Sequence, residues 1–169
     1  IRNETIDHNE LREKLDSYGN SLIVAGTQQR AKVHIHANDP AAVFDLCRQY
    51  GILTGEKADD MIQQQHSTLK RQQAVAILTD SAADFTEGTV HSLNIHVVPL
   101  AINFGATSYI DKISITSAEF YHEVARNKEH PKTSQPSIGD FKRQYEYLIS
   151  HYESIVAIHV PRKGSGTIN

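Results

Sequence analysis

The sequence predicts an α/β protein in two parts: an N-terminal α+β sandwich of ferredoxin-like order, then a three-layer α/β domain with a mostly parallel sheet. Three observations carry this expectation. Up to Ile62, helix periodicity and strand alternation succeed one another as helix, strand, strand, helix, strand. From Gln63 to Gln73 the chain is polar and lacks a sustained apolar stripe. From Ala74 onward, apolar runs alternate with capped amphipathic segments, the pattern of strands joined by helices. The expected boundaries are therefore 1–62 for the first domain, 63–73 for a linker and 74–169 for the second domain.

In the first domain, Asp7 is placed to cap a helix, Glu10 falls at the third helical position, and Ile6 with Leu11 has the spacing of a hydrophobic staple. Leu11, Leu15 and Tyr18 repeat at i, i+4 and i+7, and Gly19 supplies the stop. The apolar run Ser21 to Gly26 and the alternating run Ala31 to Ala37 read as an antiparallel pair joined through Thr27-Gln28-Gln29-Arg30. Asp39-Pro40 starts a second helix, whose buried face is Val43, Leu46, Cys47 and Tyr50 and which ends at Gly51. The stretch ILTGEKADDMI is read as a final strand. One more strand before Ile6 completes a β-α-β-β-α-β order. The chain opens at Ile1-Arg2-Asn3-Glu4 like the tail of an extended segment and stops at Gly166-Thr167-Ile168-Asn169 where a helix is due, so it is expected to be a fragment of a longer protein.

In the second domain, Ala74 to Leu78 is an apolar strand that runs into the turn Thr79-Asp80-Ser81. Asp84-Phe85-Thr86-Glu87 has capping-box spacing for a short helix carrying Val90 and Leu93. NIHVVPLAINF reads as a buried strand in which Pro99 marks an edge or a bulge. Thr116 and Glu119 form a second capping box, stapled by Ile115 and Phe120 and followed by Val124. Ser137 and Asp140 form a third, with Phe141, Tyr145 and Leu148 on the inner face of its helix. Ser154 to Val160 is a near-continuous apolar strand, and PRKGSGT follows it directly.

Hydrophobic residues make up 39% of the 169 and charged residues 22%, ordinary globular usage rather than the profile of a disordered chain. A net charge of −3 with scattered lysine and arginine leaves no basic stripe, which argues against nucleic-acid partners. The single cysteine, Cys47, excludes an intrachain disulfide framework, suits a reducing compartment and reads as a small core residue. Apolar runs stay well below the ~20 residues of a membrane span and no leader-like pattern opens the chain, so a cytoplasmic protein is expected.

In open parallel sheets ligands bind beyond the carboxyl ends of the strands. Thr79-Asp80-Ser81 and Gly164-Ser165-Gly166-Thr167 both follow strands and belong on that rim. Gly164 and Gly166 let backbone approach a ligand closely, and free N–H groups with the hydroxyls of Ser165 and Thr167 suit a carboxylate or phosphate oxygen. An ordinary strand-to-helix turn explains GSGT equally well, and the lysine of the phosphate-loop pattern is missing. In KTSQPS, helix capping explains Ser137, and Pro136 fixes the approach; Thr133 and Ser134 have no such role. Separately, His34 and His36 stand two apart on a strand and face the same way. That spacing can ligate one zinc ion, which needs further ligands; solvated or hydrogen-bonded strand histidines are the alternative.

ILTDSAADF, NIHVVPLAINFG, SYIDKISITSAEFY, KTSQPSIGDF and SGT, in this order and spacing, closely resemble the first domain of the DegV family of fatty-acid-binding proteins, from Ala74 to the chain end. LREKLDSYGNSLIVAG and KVHIHANDPAAVFDLCRQYGIL resemble the domain that follows the nucleotide-binding part of dihydroxyacetone-kinase-like fatty acid kinases. The first resemblance implies a long-chain fatty acid with its tail in an apolar tunnel between two domains and its carboxylate held by hydroxyl residues. A fused or separate fatty acid kinase then phosphorylates that carboxyl group. Carried onto this chain, it puts Thr133 and Ser134 of TSQPS and Ser165 of SGT, with Gly166 and Thr167, around the head group, and Ser81 nearby. Gly164, preceded by Arg162-Lys163, replaces the family's usual leucine, and the domain that closes the tunnel falls outside this sequence. The kinase resemblance implies a zinc held by an H-x-H pair and an upstream cysteine; Cys47 is downstream, so the third ligand is expected from a preceding segment, with His8 as a substitute. The competing readings are a metal-dependent hydrolase or phosphotransferase using His34 and His36 with Asp80 as base, and a protein-interaction fragment without ligand.

Overall fold

The computed structural model of the chain describes residues 1–58, 73–161 and 163–167. Most of the expected linker, the end of ILTGEKADDMI, Arg162 and residues 168–169 lie outside the described residues. In chain order the described elements are α1 (His8–Leu15), β1 (Gly19–Thr27), β2 (Arg30–Ala37), α2 (Pro40–Gln49), β3 (Val75–Asp80), α3 (Glu87–Leu93), β4 (Ile95–Val98), β5 (Ala101–Phe104), β6 (Thr107–Ile110), α4 (Ser117–Arg126), β7 (Lys132–Ser134), α5 (Ile138–His151) and β8 (Ser154–Ala157). They fall into two compact units, one of Ile1–Ala58 with Asn103–Pro131, the other of Asp59–Ile102 with Lys132–Asn169. None of the described helices is long and apolar enough to cross a membrane.

In the first unit, the Asp7 carboxylate accepts from Asn9 N at 2.9 Å and Glu10 N at 3.1 Å, satisfying two donors that the first turn of α1 leaves open. Helix α1 ends at Leu15, and a 3-10 turn through Tyr18 leaves that ring 39% exposed, so the expected helical face is one turn shorter. Strands β1 and β2 pair antiparallel, with Ile23 opposite His34 and Val24 opposite Val33. The Asp39 side chain caps α2 through Ala42 N at 3.1 Å, and Pro40 occupies its first turn. Val43, Leu46 and Cys47 of α2 meet Ile6, Leu11, Leu15, Val24 and Ala31 in one core. The two outer strands reduce to single antiparallel bridges, Arg2 to Arg30 and Arg2 to Ile52. Gly51 makes the second possible: at φ 146 its missing Cβ would stand 2.4 Å from Arg2 O. Past Ile52 the pairing stops, and Gly55 turns the chain at φ 70.

In the second unit, β3 is the centre of a parallel sheet ordered β4-β3-β8. Ala76 and Leu78 of β3 pack with Val98 and with Leu148 of α5, and Phe141, Tyr145 and Ile155 close the cluster. Val75 and Ile77, on the alternate face, remain exposed. The single strand expected over NIHVVPLAINF is two, β4 and β5, broken at Pro99-Leu100, because proline cannot donate to a ladder. Helix α3 starts after Thr86, whose hydroxyl accepts from Thr89 N at 3.3 Å; Asp84 is not the cap, being left-handed at φ 50 at the end of a 3-10 turn. The capping box at Ser137 forms as expected, as does the one at Thr116 in the first unit.

His96 of β4 is fully buried, its Nε2 3.2 Å from the Tyr152 hydroxyl, which also accepts from Asn94 Nδ2 at 2.9 Å. Burial lowers its pKa from 6.5 to about 4. Between those values the unfolded chain binds a proton that the folded chain refuses. Neutral His96 therefore supports the fold above pH 6.5, and that support fades as pH falls toward 4. The loss amounts to roughly 3 kcal/mol. Urea midpoints should fall over this window, and His96→Gln should flatten the fall. Leu148→Ala, which empties the fully buried centre of the same core, should cost about 2–5 kcal/mol in the same measurement.

Candidate functional site

Because β3 pairs in parallel with both neighbours, the exits of β3, β4 and β8 share one rim. The ladder pairs Leu78 with Ala157, and the same register continued two residues puts Asp80 opposite His159. Thr79, Asp80 and Ser81 end the central strand with polar side chains that are 5%, 1% and 4% exposed, so each needs a partner inside the fold. Thr79 Oγ1 donates to Ile158 O at 2.8 Å. One oxygen of Asp80 accepts from Ala82 N at 3.1 Å, and the other faces His159 Nδ1 at 2.9 Å. Ser81 Oγ accepts from Leu100 N at 3.0 Å. The turn thus ties down the chain leaving β8 on one side and β4 on the other.

Beyond His159, Pro161 O accepts from Gly164 N at 2.8 Å and Ser165 N at 3.2 Å, which bends the chain into the GSGT turn. Ser165 Oγ lies 2.8 Å from Thr167 Oγ1 and accepts from Thr167 N at 3.2 Å. Gly166 has the Gln135 side chain against it: a Cβ there would stand 2.3 Å from Gln135 Oε1. Gln135 belongs to TSQPS. The two hydroxyl-rich segments picked out in the sequence are therefore neighbours through this contact.

Thr133 and Ser134 are exposed on β7; Ser165, Gly166 and Thr167 are half-buried in their turn. Ser81 is on the same rim, engaged by Leu100. Ser137 caps α5, its hydroxyl accepting from Asp140 N at 3.2 Å and donating to Asp140 Oδ2 at 2.6 Å. Burial alone would raise the Asp140 pKa, but the hydroxyl and N–H of Ser137, together with Arg143, hold it below the usual carboxylate value. His159 and Gln135 were missed in the sequence. The available signal was a histidine near the end of an apolar strand, just ahead of a glycine turn.

His34 and His36 do face the same way, with Nε2 atoms 3.2 Å apart. Two nitrogens at ~2.0–2.1 Å from one tetrahedral zinc would stand about that far apart, so the pair fits two of its ligand positions. Among the described residues no group of three or more His, Cys, Asp or Glu forms a metal site. His8 Nε2 is 2.9 Å from Thr27 O, and Cys47 sits in the core, where burial pushes its thiol up to about 11. Asp80, the base of the hydrolase alternative, is paired with His159.

Residues 74–169 match the family model described as an uncharacterised protein of the DegV family. The chain belongs to the DegV family. Residues 1–68 match a second model, a middle domain of the fatty-acid-kinase-like type. A DegV domain-containing protein of Staphylococcus aureus is 42% identical over 93 residues, 55% of this chain and 33% of the relative. The crystal structure of Bacillus subtilis DegV, described as a fatty acid binding protein, superposes with TM-score 0.54 at 34% identity over 57% of this chain and 34% of that one. A stearic-acid-binding protein from Eubacterium ventriosum gives TM-score 0.52 at 28% identity, over 55% and 32% of the two chains. The chain thus spans about a third of the length of the curated relatives it matches.

The DegV segments TSQPS and SGT make a direct prediction. In Gly166→Ala the new methyl meets only the flexible end of Gln135, so stability should change by about 1 kcal/mol or less. The Gln135 side-chain amide resonances should move, because the side chain must swing off residue 166. Unmoved resonances would mean that the two segments do not touch in solution.

Proposed function

We propose that this chain carries the head-group half of a fatty-acid-binding site and presents the acyl carboxylate to a fatty acid kinase, fused or separate, that phosphorylates it. The observation that carries the reading is the packing of Gln135 on Gly166, which sets the TSQPS and SGT segments side by side at the carboxyl rim of a parallel sheet. Solved DegV relatives described as fatty-acid binding support the ligand class, and the fatty acid kinase middle-domain match over residues 1–68 supports the partner. The proposed division is 1–62 for the kinase-associated domain, 63–73 for the linker and 74–169 for the lipid-binding part.

A carboxylate is best held by two to four donors, and hydrogen bonds to a charged group contribute about 1.5–3 kcal/mol each. In this reading Thr133, Ser134, Ser165 and Thr167 supply short neutral hydroxyls, Gly166 admits the Gln135 side chain that joins the two head-group segments, and Ser81 stands behind them. Neutral donors hold the anion without a cation that would cover the oxygen a phosphoryl group must reach. The tail adds ~0.8 kcal/mol per buried methylene, so chain burial sets affinity and the hydroxyls set orientation. On the kinase-associated side, His34 and His36 would supply two of the ligands of a structural zinc.

Lipid extraction and native mass spectrometry of the full-length protein test the site. Long-chain fatty acid should co-purify with the wild type. In Thr133→Ala/Ser165→Ala, losing two charge-assisted bonds should weaken retention by at least about tenfold. A double variant that keeps its full complement of fatty acid would overturn the assignment.

A further inference from the structure

We infer that the Asp80–His159 pair is a positioning device for the head-group turn: by fixing the chain between β8 and Ser165 it sets the donors that face a carboxylate. This inference rests on the fatty-acid reading above and adds two residues to it that do not themselves touch the ligand.

The problem the pair solves is geometric. Donors must be held within about 0.5 Å of a productive arrangement to discriminate a carboxylate, and those on loops are held only as well as the loop is anchored. Ladder pairing of β8 ends at Ala157, well short of Ser165. Three contacts carry the chain onward. Ile158 N donates to Leu78 O at 2.9 Å, Thr79 Oγ1 donates to Ile158 O at 2.8 Å, and His159 Nδ1 meets Asp80 Oδ2 at 2.9 Å. Two residues later Pro161 O takes up the N–H groups of Gly164 and Ser165. His159 is thus the side-chain anchor from which the turn is hung. Its ring also meets Phe141 edge-on at 5.1 Å, in the first turn of α5, the helix that TSQPS leads into. One imidazole touches the central strand and the helix behind the other hydroxyl segment.

The choice of a carboxylate and an imidazole also bears on this. The two side chains are 2% and 10% exposed, and a polar pair shielded in this way adds little net stability compared with apolar residues of the same volume. What it adds is direction, because a bond from Nδ1 to one carboxylate oxygen fixes both the ring and the strand exit. Asp80 is held in turn through its other oxygen by Ala82 N.

The test compares Asp80→Ala, Asp80→Asn and His159→Gln in the full-length protein, measuring Kd for stearate and for stearyl alcohol, which shares the tail and lacks the carboxylate. Asp80→Ala should raise the stearate Kd about tenfold or more while the alcohol Kd moves by less than about twofold. Asp80→Asn keeps an oxygen acceptor and should recover part of the loss. In a Ser165→Ala background, Asp80→Ala should cost little more, since it acts through that turn. Equal losses for acid and alcohol, or full additivity with Ser165→Ala, would overturn the inference. If the wild type binds no stearate, the fatty-acid reading fails, and amide resonances of Gly164 to Thr167 decide the rest. Movement of those resonances in both Asp80→Asn and His159→Gln supports positioning, and unmoved resonances reject it.

Discussion

The arrangement of the rim depends on one constraint: the central strand of a parallel sheet ends in three polar side chains that are buried. An unpartnered buried polar group costs about 1–3 kcal/mol, so neighbouring chain must come to meet each of them. Thr79 takes the carbonyl of Ile158, Asp80 takes the imidazole of His159, and Ser81 takes the N–H of Leu100. Because β3 lies between β4 and β8, only its end reaches both exits. The course of the loops above the sheet follows from satisfying these groups.

The same constraint bears on the charge at the proposed carboxylate site. Asp80 alone at this rim would repel a carboxylate across a short, poorly screened distance. Its two oxygens are instead taken up by His159 Nδ1 and Ala82 N. Gly166 completes the arrangement sterically, since a side chain there would displace the flexible end of Gln135 that joins the two segments.

What was legible in the sequence was local. Caps at Asp7, Asp39, Thr116 and Ser137 follow from side chains bonding two or three residues ahead, and the first core follows from the period of Leu11, Leu15, Val43, Leu46 and Cys47. The order and spacing of five segments, from ILTDSAADF through KTSQPSIGDF to SGT, were enough to suggest DegV, and the family match bears that out. Local pattern failed where a competing local rule won: Pro99 split a strand, and the left-handed Asp84 moved a helix start to Thr86. It also failed wherever the partner was distant. Asp80 and His159 are 79 residues apart, and no periodicity in either segment announces the pairing.

The two histidines of this sheet show how far environment, rather than residue type, decides a role. His96 is buried on β4, and His159 is partly buried just past the end of β8. His96 has the hydroxyl of Tyr152 and the ring of Tyr147 for company, and burial without a counter-charge keeps it neutral. His159 has a carboxylate. An imidazole among tyrosines can fill space and share a hydrogen bond, but it imposes no direction on the backbone beyond its own strand. An imidazole bonded to a buried carboxylate does, because the bond is strong in a low-dielectric setting and its loss leaves a charge stranded. That difference places the structural demand for specificity at the rim, where Ser165 follows six residues later, and leaves the middle of the sheet to packing.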